Sequence, residues 1–171
     1  MGVTVDSPKE IFIGAPATVK FRTVDLGATS EGITIRITPT IFTPQLNGIP
    51  GMLAQTDYLQ TEEVEVEVTL AELSVANLLA ILAGSTEAAG VITRTTGRRY
   101  PSAMYGPLEL TMEGLDGEDF KFEMAMATPT SGLEVTAGDD TAAAPTVVFA
   151  GRVDPANPLQ SIWKITRTPG P

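Results

Sequence analysis

Carboxylates are the only side chains in this sequence with the numbers and spacing for acid–base chemistry. The chain has no histidine and no cysteine. It therefore lacks the commonest general base and transition-metal ligand, and it has no thiolate and no disulfide. Glu65 and Glu67 stand two apart in an alternating segment, which puts them on one face of a strand, roughly 7 Å apart. Glycosidases use paired carboxylates, but here the spacing is an automatic consequence of alternation and no aromatic platform accompanies it. Asp116, Glu118 and Asp119 lack the spacing and the closing Glu of a calcium loop, so they read as a solvated hairpin tip. Asp139 and Asp140, in a Gly/Ala/Thr-rich stretch, read the same way. Gly27 and Gly32 are followed by Ile33 where a phosphate-binding loop needs Lys, so phosphate binding fails. The residue inventory points away from an enzyme, a metal site and a bound cofactor.

Charge and length narrow the class further. The 171 residues carry 21 acidic and 11 basic side chains, a net charge of −10. Such a surface repels nucleic acid and keeps a self-associating protein in solution. The length and the 43% hydrophobic content suit one folded domain over residues 1–171 with a real core. Sixteen glycines and thirteen prolines favour short strands and many turns. Residues 1–9 have no basic segment leading into an apolar one, so no secretory leader is expected. No apolar run reaches membrane-spanning length. Asp6 stands where a myristoylation signal needs Ser or Thr,.

The elements that must position these groups are mostly strands. Alternation predicts a strand over residues 17–24, with Val19 and Phe21 opposite Lys20 and Arg22,. Gly27 and Gly32 bracket a turn, and Ile33, Ile35 and Ile37 then alternate with Thr34, Arg36 and Thr38. The clearest strand covers residues 63–69, where Val64, Val66 and Val68 alternate with Glu63, Glu65 and Glu67,. A helix is predicted over residues 75–82, capped by Ser74 and ended by Gly84, with Leu78, Leu79 and Leu82 as its core face,. A hairpin follows, with Leu108, Leu110 and Met112 on one strand and Phe120, Phe122, Met124 and Met126 on the next. Its Asp116-Gly117 connection is a turn signal. Residues 146–149 and 161–165 add two short strands, with Trp163 in the core. The expected architecture is a β-sandwich or barrel with one packed helix.

Two segments do not suit a simple monomer. Residues 39–57 are too long for an ordinary connection, and Pro39, Pro44, Pro50, Gly48 and Gly51 resist regular structure. Yet the segment holds Ile41, Phe42, Leu46, Ile49, Met52 and Leu53, too much apolar surface for a solvated loop. It folds back on its own sandwich or docks on another chain, and the sequence leaves both open. Residues 87–106 form a basic patch with Arg94, Arg98 and Arg99, either a solvated loop or a contact for an acidic neighbour. The Glu63, Glu65 and Glu67 row must face water, because adjacent like charges cost stability unless screened. If the four clearest strands share a sheet, its polar face also holds Glu109, Glu113, Lys121 and Glu123. The six carboxylates and the cations Arg36 and Lys121 leave about −4 per chain there.

In order and spacing the sequence resembles the major tail tube proteins of siphoviruses, the long-tailed bacteriophages. The likeness is carried by Ile11-Phe12-Ile13-Gly14-Ala15-Pro16-Ala17-Thr18-Val19, by Leu26-Gly27-Ala28-Thr29 followed by Gly32-Ile33-Thr34, and by Gly48-Ile49-Pro50-Gly51 with Thr56-Asp57-Tyr58. It continues through the Glu-rich strand into Leu70-Ala71-Glu72-Leu73 and Asn77-Leu78. It is densest over residues 10–84. The resemblance implies a β-sandwich with a flanking helix, whose inner sheet joins its neighbours in a ring, usually of six. Stacked rings form the tail tube, and a long loop reaches between rings. The implied partners are other copies of the chain, the tape measure protein and the tail terminator and tip proteins. Viral DNA would pass through without specific binding, and no membrane is involved. The implied location is the tail of the virion, after synthesis in the host cytoplasm. Under that reading Glu63, Glu65, Glu67, Glu109, Glu113 and Glu123 line the channel. Ile41, Phe42, Leu46, Ile49, Met52 and Leu53 make the inter-ring or inter-subunit loop, and Arg94, Arg98 and Arg99 a patch between subunits. Two alternatives share the features: a tube subunit of a contractile injection system or gene-transfer particle, and a virion decoration or adhesin β-sandwich.

Overall fold

The computed structural model describes residues 17–29, 33–44, 57–72, 74–82, 84–94, 100–113, 119–131 and 145–168. Ten strands and one α-helix occupy them: β1 (Thr18–Phe21), β2 (Val24–Ala28), β3 (Thr34–Phe42), β4 (Tyr58–Thr69), α1 (Val75–Ile81), β5 (Ser85–Ala88), β6 (Val91–Arg94), β7 (Gly106–Glu113), β8 (Asp119–Pro129), β9 (Thr146–Gly151) and β10 (Trp163–Thr168). The protein is mainly antiparallel β, with one large sheet, one small sheet and a flanking helix. The large sheet runs β2-β1-β7-β8-β9-β4-β3, with β10 also on β8.

The strand β8 joins the two layers. Its first half, from Asp119 to Met124, pairs with β10 and β7. Its last residues, from Ala127 to Pro129, pair instead with β9. A register shift between Gly106 and Leu108 of β7 marks a bulge on β8 at this changeover. An extra residue in one strand reverses which face the following residues present. Alternation alone placed Met126 with Met124 in the core; the bulge instead buries Ala127, and Met126 is half-buried. The sheet also curls back on itself. Thr29 bridges Leu70, and the Ala71 N–H donates to the Ala28 carbonyl at 3.0 Å.

Between the layers lies a core of Val19, Phe21, Val64, Val66, Val68, Leu108, Leu110, Phe122, Met124, Val147 and Phe149. Phe21 and Phe149 meet across it with ring centroids 4.9 Å apart. The valine face of β4 is buried as the alternation requires, each side chain contributing roughly 1.5 kcal/mol or more. Trp163 is half-buried rather than enclosed. Its ring stacks on Phe122 at 6.4 Å, and its Nε1 donates to Glu62 Oε2 at 2.8 Å.

Three local departures from the pattern have clear causes. The predicted strand over residues 17–24 is two strands, because Arg22 takes a positive φ of 59° and its N–H donates to the Pro107 carbonyl. Gly27, expected at a turn, lies within β2 at φ 83°, where the pairing with β1 shifts register. The region after α1, read as a loop, begins with the β5–β6 hairpin. Its two-residue turn, Ala89-Gly90, has φ values of 53° and 79°, the left-handed pair of the tightest hairpins.

The helix forms as predicted in position. Ser74 accepts a hydrogen bond from the Asn77 N–H at 3.1 Å, a standard N-cap. Ala80 and Ile81 are buried, with Leu78 and Leu82 packed at the core's margin. Asn77 is buried too, and its Nδ2 donates to the carbonyls of Leu26 and Glu72. That amide ties the helix to β2 without leaving a buried donor unpaired.

Candidate assembly surfaces

The outer face of the sheet carries two sets of carboxylates with different surroundings. On β3 and β4 the register sets Arg36 opposite Glu65, Thr38 opposite Glu63 and Thr34 opposite Glu67. Glu63 and Glu67 are exposed. Glu65 lies 3.4 Å from the Arg36 guanidinium. This patch has three carboxylates and one cation, and it faces water as the charge argument demands.

On β7, β8 and β10, Glu109 and Glu123 are neutralised. Glu109 sits directly opposite Glu123, a repulsive pair on its own. Lys121 bridges them, at 3.1 Å from Glu109 and 2.8 Å from Glu123. Lys164, paired with Glu123 across β10, adds a contact at 3.8 Å. Lys20 on β1 pairs with Glu109 from the other side. The hydrogen bond from Lys121 holds the Glu123 carboxyl below its ordinary value. The same bond, with that to Glu109, raises Lys121. Glu113 pairs with Asp119 at the end of the β7–β8 ribbon. The six carboxylates thus belong to strands of one sheet, but they do not form one uniformly acidic face. Lys20 and Lys164 come from strands whose place beside the Glu residues is set by pairing across the chain, which spacing alone does not reveal.

The apolar segment also differs from expectation. Pro39, Ile41 and Phe42 are not loop residues; β3 runs through them and pairs with β4 to Tyr58. An edge strand tolerates proline because its free side needs no N–H. The β3–β4 ribbon outruns the sheet, since β9 pairs with β4 only from Glu65 to Thr69. Beyond Glu62, among the described residues, the two strands pair only with each other. Ile41 pairs with Leu59 and Phe42 with Tyr58, so consecutive pairs present opposite faces of the ribbon. All four side chains are between 55% and 65% exposed. Thr43 Oγ1 donates to Asp57 Oδ1 across the end of this arm. Leu46, Ile49, Met52 and Leu53 lie outside the described residues, as do Arg98 and Arg99. Arg94 ends β6, exposed and opposite Ser85.

Two grooves accompany these surfaces. One, of about 560 Å³, runs between β7, β8 and β10 past Glu109, Glu123, Trp163 and Lys164. The other, of about 450 Å³, is lined by Ser102, Tyr105, Met126, Arg152, Val153 and Pro155. No sequence signal marks the second, because it is built by the β8 bulge and by the chain leaving β9. Among the described residues, no group of three or more His, Cys, Asp or Glu side chains is placed to hold a metal ion. No helix among them is long and apolar enough to cross a membrane. Compared with known proteins, the chain matches no family model and no curated protein sequence.

Proposed function

We propose that this chain is a non-enzymatic structural subunit that self-assembles into stacked rings. Its resemblance to the siphovirus proteins makes the product a phage tail tube, a conduit for DNA. The observation that carries self-assembly is the β3–β4 arm. Ile41, Phe42, Tyr58 and Leu59 stay in water in the single chain, and so much apolar surface on the two faces of a projecting element is the mark of an interaction surface. Among the described residues no strand pairs with the outer edge of β3, which supports the same reading. Its backbone groups invite another strand, and closing a ring satisfies them. In such a ring Glu63, Glu65 and Glu67 line the channel. A carboxylate wall gives passing DNA no phosphate contacts, whereas a Lys- or Arg-lined wall would.

Negative-stain microscopy of the purified full chain tests assembly: rings or tubes are expected, and a monodisperse monomer at high concentration overturns the proposal. Reversing Glu63, Glu65 and Glu67 to Lys tests the channel. With tails intact, DNA ejection should slow and become salt-dependent. Unchanged ejection places these carboxylates on the outer wall instead.

A further inference from the structure

We propose that the cleft lined by Ser102, Tyr105, Met126, Arg152, Val153 and Pro155 is the receiving site for the β3–β4 arm tip of a second copy of this chain. The inference rests on the self-assembly reading and names its contact.

The two surfaces match in chemistry. The arm tip offers an aliphatic pair and an aromatic pair, with Asp57 beside them. The cleft walls are the ring of Tyr105, the thioether of Met126 and the apolar bodies of Val153 and Pro155. Its single charged wall is Arg152, whose Nη1 bonds only the neighbouring Gly151 carbonyl and which has no carboxylate within ion-pair distance among the described residues. A cation at the cleft thus awaits an anion, and the arm brings Asp57. In a chain of net charge −10, self-association needs such an opposite-sign meeting to offset general repulsion.

The cleft is also firmly built. Tyr100 packs edge-on against Tyr105, with ring centroids 5.7 Å apart, and its hydroxyl donates to the Pro129 carbonyl. Gly151, next to the Arg152 wall, has no room for a side chain, because a Cβ there would meet Ile162, Met124 and Val64 at 2.8 to 3.2 Å.

In the single chain the arm does not occupy the cleft: Ile41, Phe42, Tyr58 and Leu59 stay exposed, and none of them lines it. A neighbour's arm can lie across the cleft, while this chain's arm crosses the next. Such a head-to-tail contact uses two different surfaces, so it propagates into a ring or a filament rather than stopping at a pair.

The absence of cysteine gives a clean test. Full-length Leu59→Cys and Val153→Cys chains are co-expressed and oxidised, with each variant alone as a control. Both positions are exposed, so neither substitution threatens the fold. A covalent dimer in the mixture, about tenfold above either variant alone, is the expected result, since docking raises the local thiol concentration. Rings or tubes by microscopy with no covalent dimer overturn the cleft assignment and leave self-assembly standing. A sedimentation monomer with no dimer overturns both. Equal dimer from Leu59→Cys alone overturns it too, because arm tips would then meet each other.

Discussion

One ribbon, β3–β4, has two halves with opposite fates. In the proximal half Val64, Val66 and Val68 are buried, because β9 flanks β4 there and the second layer covers it. In the distal half Tyr58 and Leu59, with Ile41 and Phe42 opposite, are exposed, although all four are larger than valine and three of them are wholly apolar. Hydrophobicity does not separate the two halves. What separates them is how far the neighbouring strand extends. β9 is six residues long and β4 twelve, so half of β4 must project. The proximal half thus belongs to the core, and under the proposed function the distal half is left for a second molecule.

The comparison predicts contrasting effects of one substitution type. Val66→Asp buries a charge with no partner and should cost about 4 kcal/mol or more, abolishing the thermal transition. Leu59→Asp should leave stability within about 0.5 kcal/mol while suppressing assembly in sedimentation. Equal loss of melting temperature in both would show that the arm belongs to the subunit's own fold.

A smaller effect is expected where the two halves meet. A Cβ at Gly151 would lie 2.8 Å from Ile162 Cγ2 and 3.2 Å from Val64 Cβ. Gly151→Val should therefore cost about 1–3 kcal/mol by overpacking. It should also displace the Arg152–Val153 wall and weaken assembly beyond what the lost stability explains. Denaturant melts together with sedimentation measure the two effects separately.

The smallest effect concerns the neutralised patch. Glu123 is lowered below its ordinary 4.5 by the Lys121 hydrogen bond, so its contribution is present above that range and is lost as pH falls through the lowered value. Lys121 is raised above 10.5. Its contribution is present below 10.5 and is lost as pH rises through the raised value. Glu123→Gln should cost only about 0.5 kcal/mol at neutral pH, since the network lies at the surface and is screened. The loss should shrink at low pH and in high salt. A constant difference across pH would remove the ionic explanation.

Much of this fold is legible residue by residue. The valine–glutamate alternation of β4, the Ser74 cap and the two strands of the β7–β8 hairpin follow from local spacing, because each depends on neighbours in sequence. The features that escape depend on neighbours in space. Pro39 looks like a strand breaker until β3 is known to be an edge. Met126 looks like a core residue until the bulge reverses its face. Lys164 neutralises Glu123 from a strand far away in sequence, and Lys20 is placed beside Glu109 only by strand pairing. The cleft escapes for the same reason, since its walls come from β8, the 3-10 turn at Ser102–Met104 and the chain beyond β9.

The double pairing along one edge of β8 has a consequence for how the chain reaches this fold. Its hairpin with β7 is local, but β9 also pairs with β4, far earlier in the chain, while β10 comes from the far end. Neither layer is complete until β8 is in place, and β8 holds both partners only after the C-terminal strand has been made. Loops that long are costly to close, so the topology favours slow folding through a late, non-local step. A chain emerging from the ribosome therefore cannot complete this sheet early. The apolar arm, already synthesised by then, stays in water while the rest of the sheet is still being completed.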